Sequence, residues 1–305
     1  MMKYLITGGT GFIGSALLRA LSAAPCEIVV LTRQPRPAAR MNEARIRFVP
    51  WDAHSAGAWC GEMETTDVVI NLAGKNLASS RWTERVKREL AASRIDATQA
   101  LVSAMTTAAA KPSIFISASA VGYYGDCGDG DVSEQSPPGS GFLSDLTVRW
   151  ESAAAAAAGI GVRVVTPRMA IALGGGGGAL PKMAFPFYFM AGGHLGSGRQ
   201  IVSWIHIDDL VRAILFPIGR DSFSGPYNCS APHPVTMKQL CAAIGRALHR
   251  PSWTNVPSFA LKAALGEASE MLLTGQKALP EKLCDAGFQF QFENVEDALD
   301  TIYHT

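Results

Sequence analysis

Thr7-Gly8-Gly9-Thr10-Gly11-Phe12-Ile13-Gly14 is the stretch on which the fold of this chain turns. It follows a short apolar run, Tyr4–Thr7, and opens a helical pattern over Gly14–Ala23. Read from Gly9, the spacing is G-x-G-x-x-G between a strand and a helix. Glycines in that context allow a tight turn, let the backbone approach a pyrophosphate, and let helix and strand pack closely. The helix N-terminus adds free N–H groups and the positive end of its dipole. Gly8, Gly9, Thr10, Gly11, Phe12, Ile13 and Gly14 are therefore expected to hold a dinucleotide. The alternative is a glycine turn without a ligand, but a bare turn rarely needs three glycines so spaced.

The second strand selects the dinucleotide. An NAD site usually carries Asp or Glu about 20 residues after the motif, bonded to the ribose 2′-OH. Here Glu27–Leu31 ends in Thr32-Arg33, with no carboxylate at its tip. Arg33 can fork onto a 2′-phosphate and Thr32 can add a hydroxyl. The reading is NADP(H); the competing one makes Arg33 a solvated loop residue like Arg36 and Arg40.

Outward from this turn, Asp67–Leu72, Ser113–Ser117 and Val162–Pro167 read as further buried strands, and Thr83–Ala109 and Leu143–Ala158 as helices. That alternation predicts an α/β protein, a Rossmann-type doubly wound parallel sheet. The glycine run Gly174–Gly178 reads as loop. Beyond Asn228, helical patterns at Met237–Leu248 and Phe259–Leu265 mix with short segments. The expected division is a nucleotide-binding domain over 1–170, completed by about 200–228. A smaller C-terminal α+β lobe is expected from 171–199 and 229–305.

The chain has 305 residues, a net charge of +1 and 17% charged residues, which gives no electrostatic case for nucleic acid. Its six cysteines are scattered without a C-x-x-C pair, so neither a disulfide framework nor a zinc site is expected, and a cytoplasmic setting is. No secretory signal is read at the N-terminus. The apolar stretch Met183–Met190 is too short to span a bilayer, which needs about 20 apolar residues. No metal and no membrane partner is expected.

With Asn71-Leu72-Ala73-Gly74 after a later strand, the chain resembles the extended, epimerase-like branch of the short-chain dehydrogenase/reductase superfamily. Arg81-Trp82-Thr83, Ser93-Arg94-Ile95, Ser119-Ala120-Val121-Gly122-Tyr123-Tyr124-Gly125, Trp150-Glu151, Gly196–Gln200 and Ser203–Asp209 narrow the resemblance. They fit an atypical subgroup labelled epimerase family proteins, or nucleoside-diphosphate-sugar epimerases, with its own C-terminal module from roughly Arg250. The resemblance implies cofactor contacts at Thr32, Arg33, Leu72, Ala73, Gly74, Glu89 and Arg94, and a homodimer paired through two helices near Val86–Ala108 and Leu143–Ala157.

The catalytic pattern departs from the superfamily. Its Tyr-x-x-x-Lys pair lies on a helix that here reads Phe142–Glu151, and aligned on Glu151 the two positions are Leu143 and Thr147. Neither does proton chemistry. The upstream serine is retained, as Ser119 or as Ser117. Tyr123 and Tyr124 follow it at the carboxyl end of a strand, where such sheets bind ligands. Either phenol is a candidate acid, with Arg94 as a source of positive charge, or a structural residue of the turn. His206 reads as structural, with Asp208 as N-cap of the following helix. Three functions compete: an NADP(H)-dependent oxidoreductase on a small carbonyl compound, a non-catalytic NADPH sensor, and a sugar-nucleotide epimerase.

Overall fold

A computed structural model describes residues 1–33 and 45–304; Arg36 and Arg40 lie outside them. Its centre is an eight-stranded sheet. Seven strands carry it: β1 (Lys3–Thr7), β2 (Glu27–Thr32), β3 (Ile46–Pro50), β4 (Val68–Asn71), β5 (Ile114–Ser117), β6 (Arg163–Met169) and β7 (Gly225–Cys229). They lie in the order β3-β2-β1-β4-β5-β6-β7, and the short strand Ser119–Ala120 also pairs with β6. Every pairing in this sheet is parallel. The order reverses between β1 and β4, which opens the crevice where doubly wound sheets hold ligands.

Period-two alternation builds both faces. Tyr4 and Ile6 of β1, with Ile28 and Val30 of β2, join one core, while Leu5, Val29 and Leu31 join the other. The first core is covered by α1 (Phe12–Ser22), through Leu17, Leu18 and Leu21, and by α5 (Ile207–Leu215). The second is covered by α2 (Glu84–Thr107), through Leu101, Ala104 and Met105, and by α3 (Phe142–Ala155), through Ala154.

A third core joins α4 (Leu180–Tyr188), α6 (Met237–Ala247) and the C-terminal helix Val295–His304 around Phe187, Trp204, Ile244 and Leu299. The glycine run before α4 is a loop with a packing reason. A Cβ on Gly174 or Gly178 would come within 2.9 Å of the Phe12 ring, so the first helix seats its phenylalanine against bare backbone. From α7 (Ser258–Leu265) onward the chain runs as a strap. Asp209 of α5, fully buried, accepts the backbone N–H groups of Gln291 and Phe292 at 2.9–3.0 Å. Among the described residues no helix is long and apolar enough to cross a membrane.

One local expectation is corrected. The N-cap of α5 is His206, not Asp208: its Nδ1 accepts the N–H of Asp208 at 3.2 Å. An Nδ1 that accepts must be unprotonated. His206 is buried with its ring 4.0 Å from that of Phe292, and burial lowers its pKa against the opposing pull of Asp208 and Asp209. Its folded value thus lies below the unfolded one of about 6.5. The unfolded chain binds the proton more readily, so this stabilisation is present above about pH 6.5 and is lost as pH falls through the folded value. Urea unfolding at pH 7 and pH 5 should show a loss in acid that His206→Asn, which keeps a cap, makes smaller. An equal loss in the variant would remove His206 from the account.

Candidate functional site

A cavity of about 290 Å³ opens at the crevice between β1 and β4. Gly8, Thr10 and Gly11 line it from the glycine turn, Leu31, Thr32 and Arg33 from the end of β2, and Leu72, Ala73 and Gly74 from the end of β4. The turn closes on itself, with the N–H of Gly11 donating to Gly8 O at 3.0 Å. Gly8 adopts φ +68°, and a Cβ there would sit 2.4 Å from Leu72 O. Helix α1 begins without a side-chain cap on Gly11. In contrast, α2 is capped by Thr83 and α6 by a Thr236–Gln239 capping box. An uncapped first turn facing a cavity leaves backbone donors for an anion.

Sequence reading missed part of the lining: Trp51, Asp52, Ala53 and His54 after β3, with Lys75 and Ser93. Asp52 is spoken for, since it accepts from the N–H groups of His54 and Ser55 and from Ser55 Oγ; these hydrogen bonds hold its carboxyl down at about 2. The buried indole N–H of Trp51 has no hydrogen-bond partner among the described residues. An orphaned donor in the wall of a cavity is what an absent polar ligand leaves behind. The uncapped helix, the exposed Arg33 and this donor fit a phosphorylated dinucleotide.

Two residues that the resemblance assigns to the cofactor stand just behind the lining. Arg94 is buried, donates to Lys75 O at 3.0 Å and Leu90 O at 3.2 Å, and backs Gly74. Desolvation pushes its pKa down to about 10, which leaves it charged at neutral pH. Glu89 is held by Lys75 and, at 2.9 Å, by Arg85. Phe12, Ile13, Gly9 and Gly14 shape the turn without lining the cavity.

The residues read as candidate catalytic groups lie near the carboxyl ends of β5 and β6. Ser119 is fully buried and donates to Glu151 Oε1 at 2.5 Å. Glu151 is gripped by Arg168, with Nε 2.8 Å from Oε1 and Nη2 2.9 Å from Oε2. Burial works against the charge on Arg168, but the bonds to Glu151 outweigh it and raise its pKa. The same guanidinium lies 3.5 Å from the Tyr123 ring centroid and donates to Tyr124 Oη at 3.0 Å. The cation beside the tyrosines is therefore Arg168 and not Arg94, whose guanidinium lies over Trp150.

The two phenols differ. Tyr124 is 2% exposed and donates to Asn228 Oδ1 at 2.8 Å; burial raises its pKa over the lowering effect of Arg168. Tyr123 is half-buried, and its hydroxyl has no hydrogen-bond partner among the described residues. Its carbonyl accepts from Ser144 Oγ at 2.7 Å, which fixes the turn to α3. Leu143 and Thr147 face Gly122 in that turn, and Thr147 Oγ1 bonds its own helix at Leu143 O, 2.6 Å away. The strap holds the other side: Gln276 Nε2 donates to Gly125 O at 2.6 Å, and Cys127 N to Gly275 O at 3.0 Å.

Residues 4–229 match the NAD dependent epimerase/dehydratase family, and residues 256–302 match a domain of unknown function, DUF1731. An epimerase family protein of Staphylococcus epidermidis is 40% identical over 303 residues, 99% of each chain. A chloroplastic SDR39U1 homolog of Arabidopsis thaliana is 41% identical over 99% of this chain and 86% of its own. The human epimerase family protein SDR39U1, crystallised with NADPH, is 32% identical and superimposes with a TM-score of 0.89 over 100% of both chains.

Proposed function

The chain belongs to the NAD-dependent epimerase/dehydratase family, and we propose that it is an NADP(H)-dependent oxidoreductase acting on a small carbonyl compound. The observation that carries this reading is the cavity floored by the glycine turn, closed by Thr32 and Arg33 at the tip of β2, and continued toward Lys75 and Ser93. The human relative solved with NADPH supports the choice of cofactor. Bound there, the dinucleotide supplies or accepts a hydride. The N-terminus of α1 takes the pyrophosphate, Arg33 and Thr32 the 2′-phosphate, and Trp51 offers its indole N–H. Tyr123 is the acid: Tyr124 spends its hydroxyl on Asn228 and Arg168, and Ser119 spends its proton on Glu151.

Arg33→Ala should weaken NADPH by about 10- to 100-fold, the worth of a charge-assisted pair of about 1.5–3 kcal/mol, and leave NADH unchanged. Isothermal calorimetry with both nucleotides reads this directly, and equal losses for the two would remove Arg33 from the 2′-phosphate site. Tyr123→Phe should cut turnover of an accepted carbonyl by about 10²- to 10⁴-fold with NADPH affinity intact. The loss of Tyr-x-x-x-Lys to Leu143 and Thr147 favours a second reading, an NADPH-binding sensor without turnover. Under it no carbonyl consumes NADPH, while the nucleotide alters protease sensitivity or association.

A further inference from the structure

Helix α4 ends in hydrocarbon that the fold leaves uncovered. Ala184 and Phe187 face the third core, and a Cβ on Gly192 would fall 2.1 Å from Phe187 Cδ1, so the helix end is seated firmly. Its other side chains point outward. Phe185, Tyr188, Phe189 and Met190 are joined there by Trp253, and all five are between 52% and 72% exposed. Phe185 and Phe189, four residues apart, hold their ring centroids at 5.1 Å. Trp253 is tied to the same edge, with Nε1 donating to Met190 O at 2.9 Å and its backbone N–H to Gly192 O at 3.0 Å. Five of the nine exposed large apolar side chains among the described residues thus lie together. Single ones are ordinary on a surface; a contiguous set marks a contact.

The turn that ends α4 favours glycine and has methionine. The N–H of Ala191 donates to Pro186 O and that of Met190 to Phe187 O, both at 3.0 Å. This closure places the residue after the cap in the left-handed region, where glycine is usual. Met190 stands there at φ +60°, a conformation that a bulky residue rarely adopts. An apolar side chain is therefore kept on the surface where a bare backbone would be less strained.

Charge decides what covers the patch. Residues 180–193 and 249–254 contain Lys182, His249 and Arg250 and no carboxylate. Lys182 and Arg250 are exposed and in no ion pair among the described residues. On the neighbouring C-terminal helix, Glu296 is matched by Arg246 at 2.6 Å, and Asp300 lies 3.9 Å from His304. A second copy docked about a two-fold axis would set the patch against itself, cations against cations. An anionic bilayer surface suits both features. Its headgroup boundary is where tryptophan and tyrosine settle and where apolar rings leave water, and its lipid phosphates attract Lys and Arg.

We propose that the end of α4, with Met190 and Trp253, is a docking surface for an anionic lipid bilayer. The nine residues of α4 are far too few to span one, so the contact is lateral and peripheral. Segment length, which argues against a span, leaves such a contact open. The inference is independent of the oxidoreductase reading.

The test floats the full chain with vesicles of phosphatidylcholine alone and of phosphatidylcholine mixed with phosphatidylglycerol. Wild type should bind the mixed vesicles, bind the neutral ones more weakly, and lose binding as salt screens the cations. Phe189→Asp should weaken binding to mixed vesicles by about tenfold or more, because it brings a charge to the apolar boundary. Lys182→Glu with Arg250→Glu should abolish the preference for the anionic lipid. Met190→Gly relieves the strained turn, so it should bind more weakly while melting no earlier than wild type. Thermal unfolding reports that each variant is folded, and Met190→Gly serves if Phe189→Asp is not. The proposal is overturned if wild type does not float with the mixed vesicles, if both lipids bind it equally, or if the folded variants float like wild type. It is also overturned if sedimentation velocity shows a dimer that Phe189→Asp dissociates, since a second copy would then cover the patch.

Discussion

Glu151→Ala is expected to cost about 3–5 kcal/mol of unfolding free energy, because it strands a buried charge. The Arg168 side chain is 3% exposed and that of Glu151 14%, and the pair meets through two hydrogen bonds. Without the carboxylate, the guanidinium keeps only Tyr124 Oη and the face of the Tyr123 ring, and neither replaces the carboxylate. Ser119 loses its acceptor as well. The Arg246–Glu296 pair is closer still, at 2.6 Å, but its side chains are 65% and 50% exposed, and Glu296→Ala should cost no more than about 1 kcal/mol. Urea unfolding of both variants distinguishes the cases. Glu151→Leu with Arg168→Met should recover most of the loss, since removing both charges leaves neither uncompensated. If Glu151→Ala unfolds no more easily than Glu296→Ala, the network does not hold this end of the sheet together.

Such a network is hard to find in a sequence, for a physical reason. Glu151 faces inward from α3, and Arg168 follows a proline near the end of a strand, 17 residues on. Nothing local couples them; the pairing exists because β6 lies beside β5 and α3 crosses over both. The sequence offers Arg94 as the positive charge near the tyrosines because its own motif is visible there, yet its helix turns it toward Gly74 and Trp150. The glycine turn, by contrast, is legible because its requirements are local: a buried strand, glycines where backbone must approach backbone, and a helix.

The same division runs through the rest of the fold. Strands β1, β2, β4, β5 and β6 were readable from buried apolar runs. β3 (Ile-Arg-Phe-Val-Pro) and β7 (Gly-Pro-Tyr-Asn-Cys) were not, because they lie at the two margins of the sheet, where neighbours rather than hydrophobicity make the strand. Missing β3 concealed Trp51–His54 as part of the cavity wall. Aspartate is the commoner cap, so the sequence points to Asp208, whereas the α5 cap is a buried neutral imidazole two residues earlier.

Gly14→Ala should abolish measurable NADPH binding, and the reason lies in which atoms a methyl would meet. A Cβ at Gly14 would stand 2.2 Å from Gly8 O and 2.6 Å from Gly9 Cα. Both are backbone of the turn that the motif must hold fixed, so neither can rotate aside. The helix must move away from the strand, which places the cost at or above the upper end of the ~1–3 kcal/mol typical of overpacking. That displacement carries the N-terminus of α1 off the pyrophosphate position. Losing two charge-assisted hydrogen bonds of about 1.5–3 kcal/mol each weakens binding by about 100-fold or more. Gly11→Ala provides the contrast. Among the described residues its Cβ would meet only Gly8 O, at 3.3 Å, so the fold should survive and the loss should come from a methyl on the surface that faces the ligand. Thermal unfolding and NADPH calorimetry on the two variants separate these effects: Gly14→Ala should fail both, Gly11→Ala only the second. A Gly14→Ala protein that melts and binds like wild type would mean that helix and strand need not approach as closely as this turn brings them.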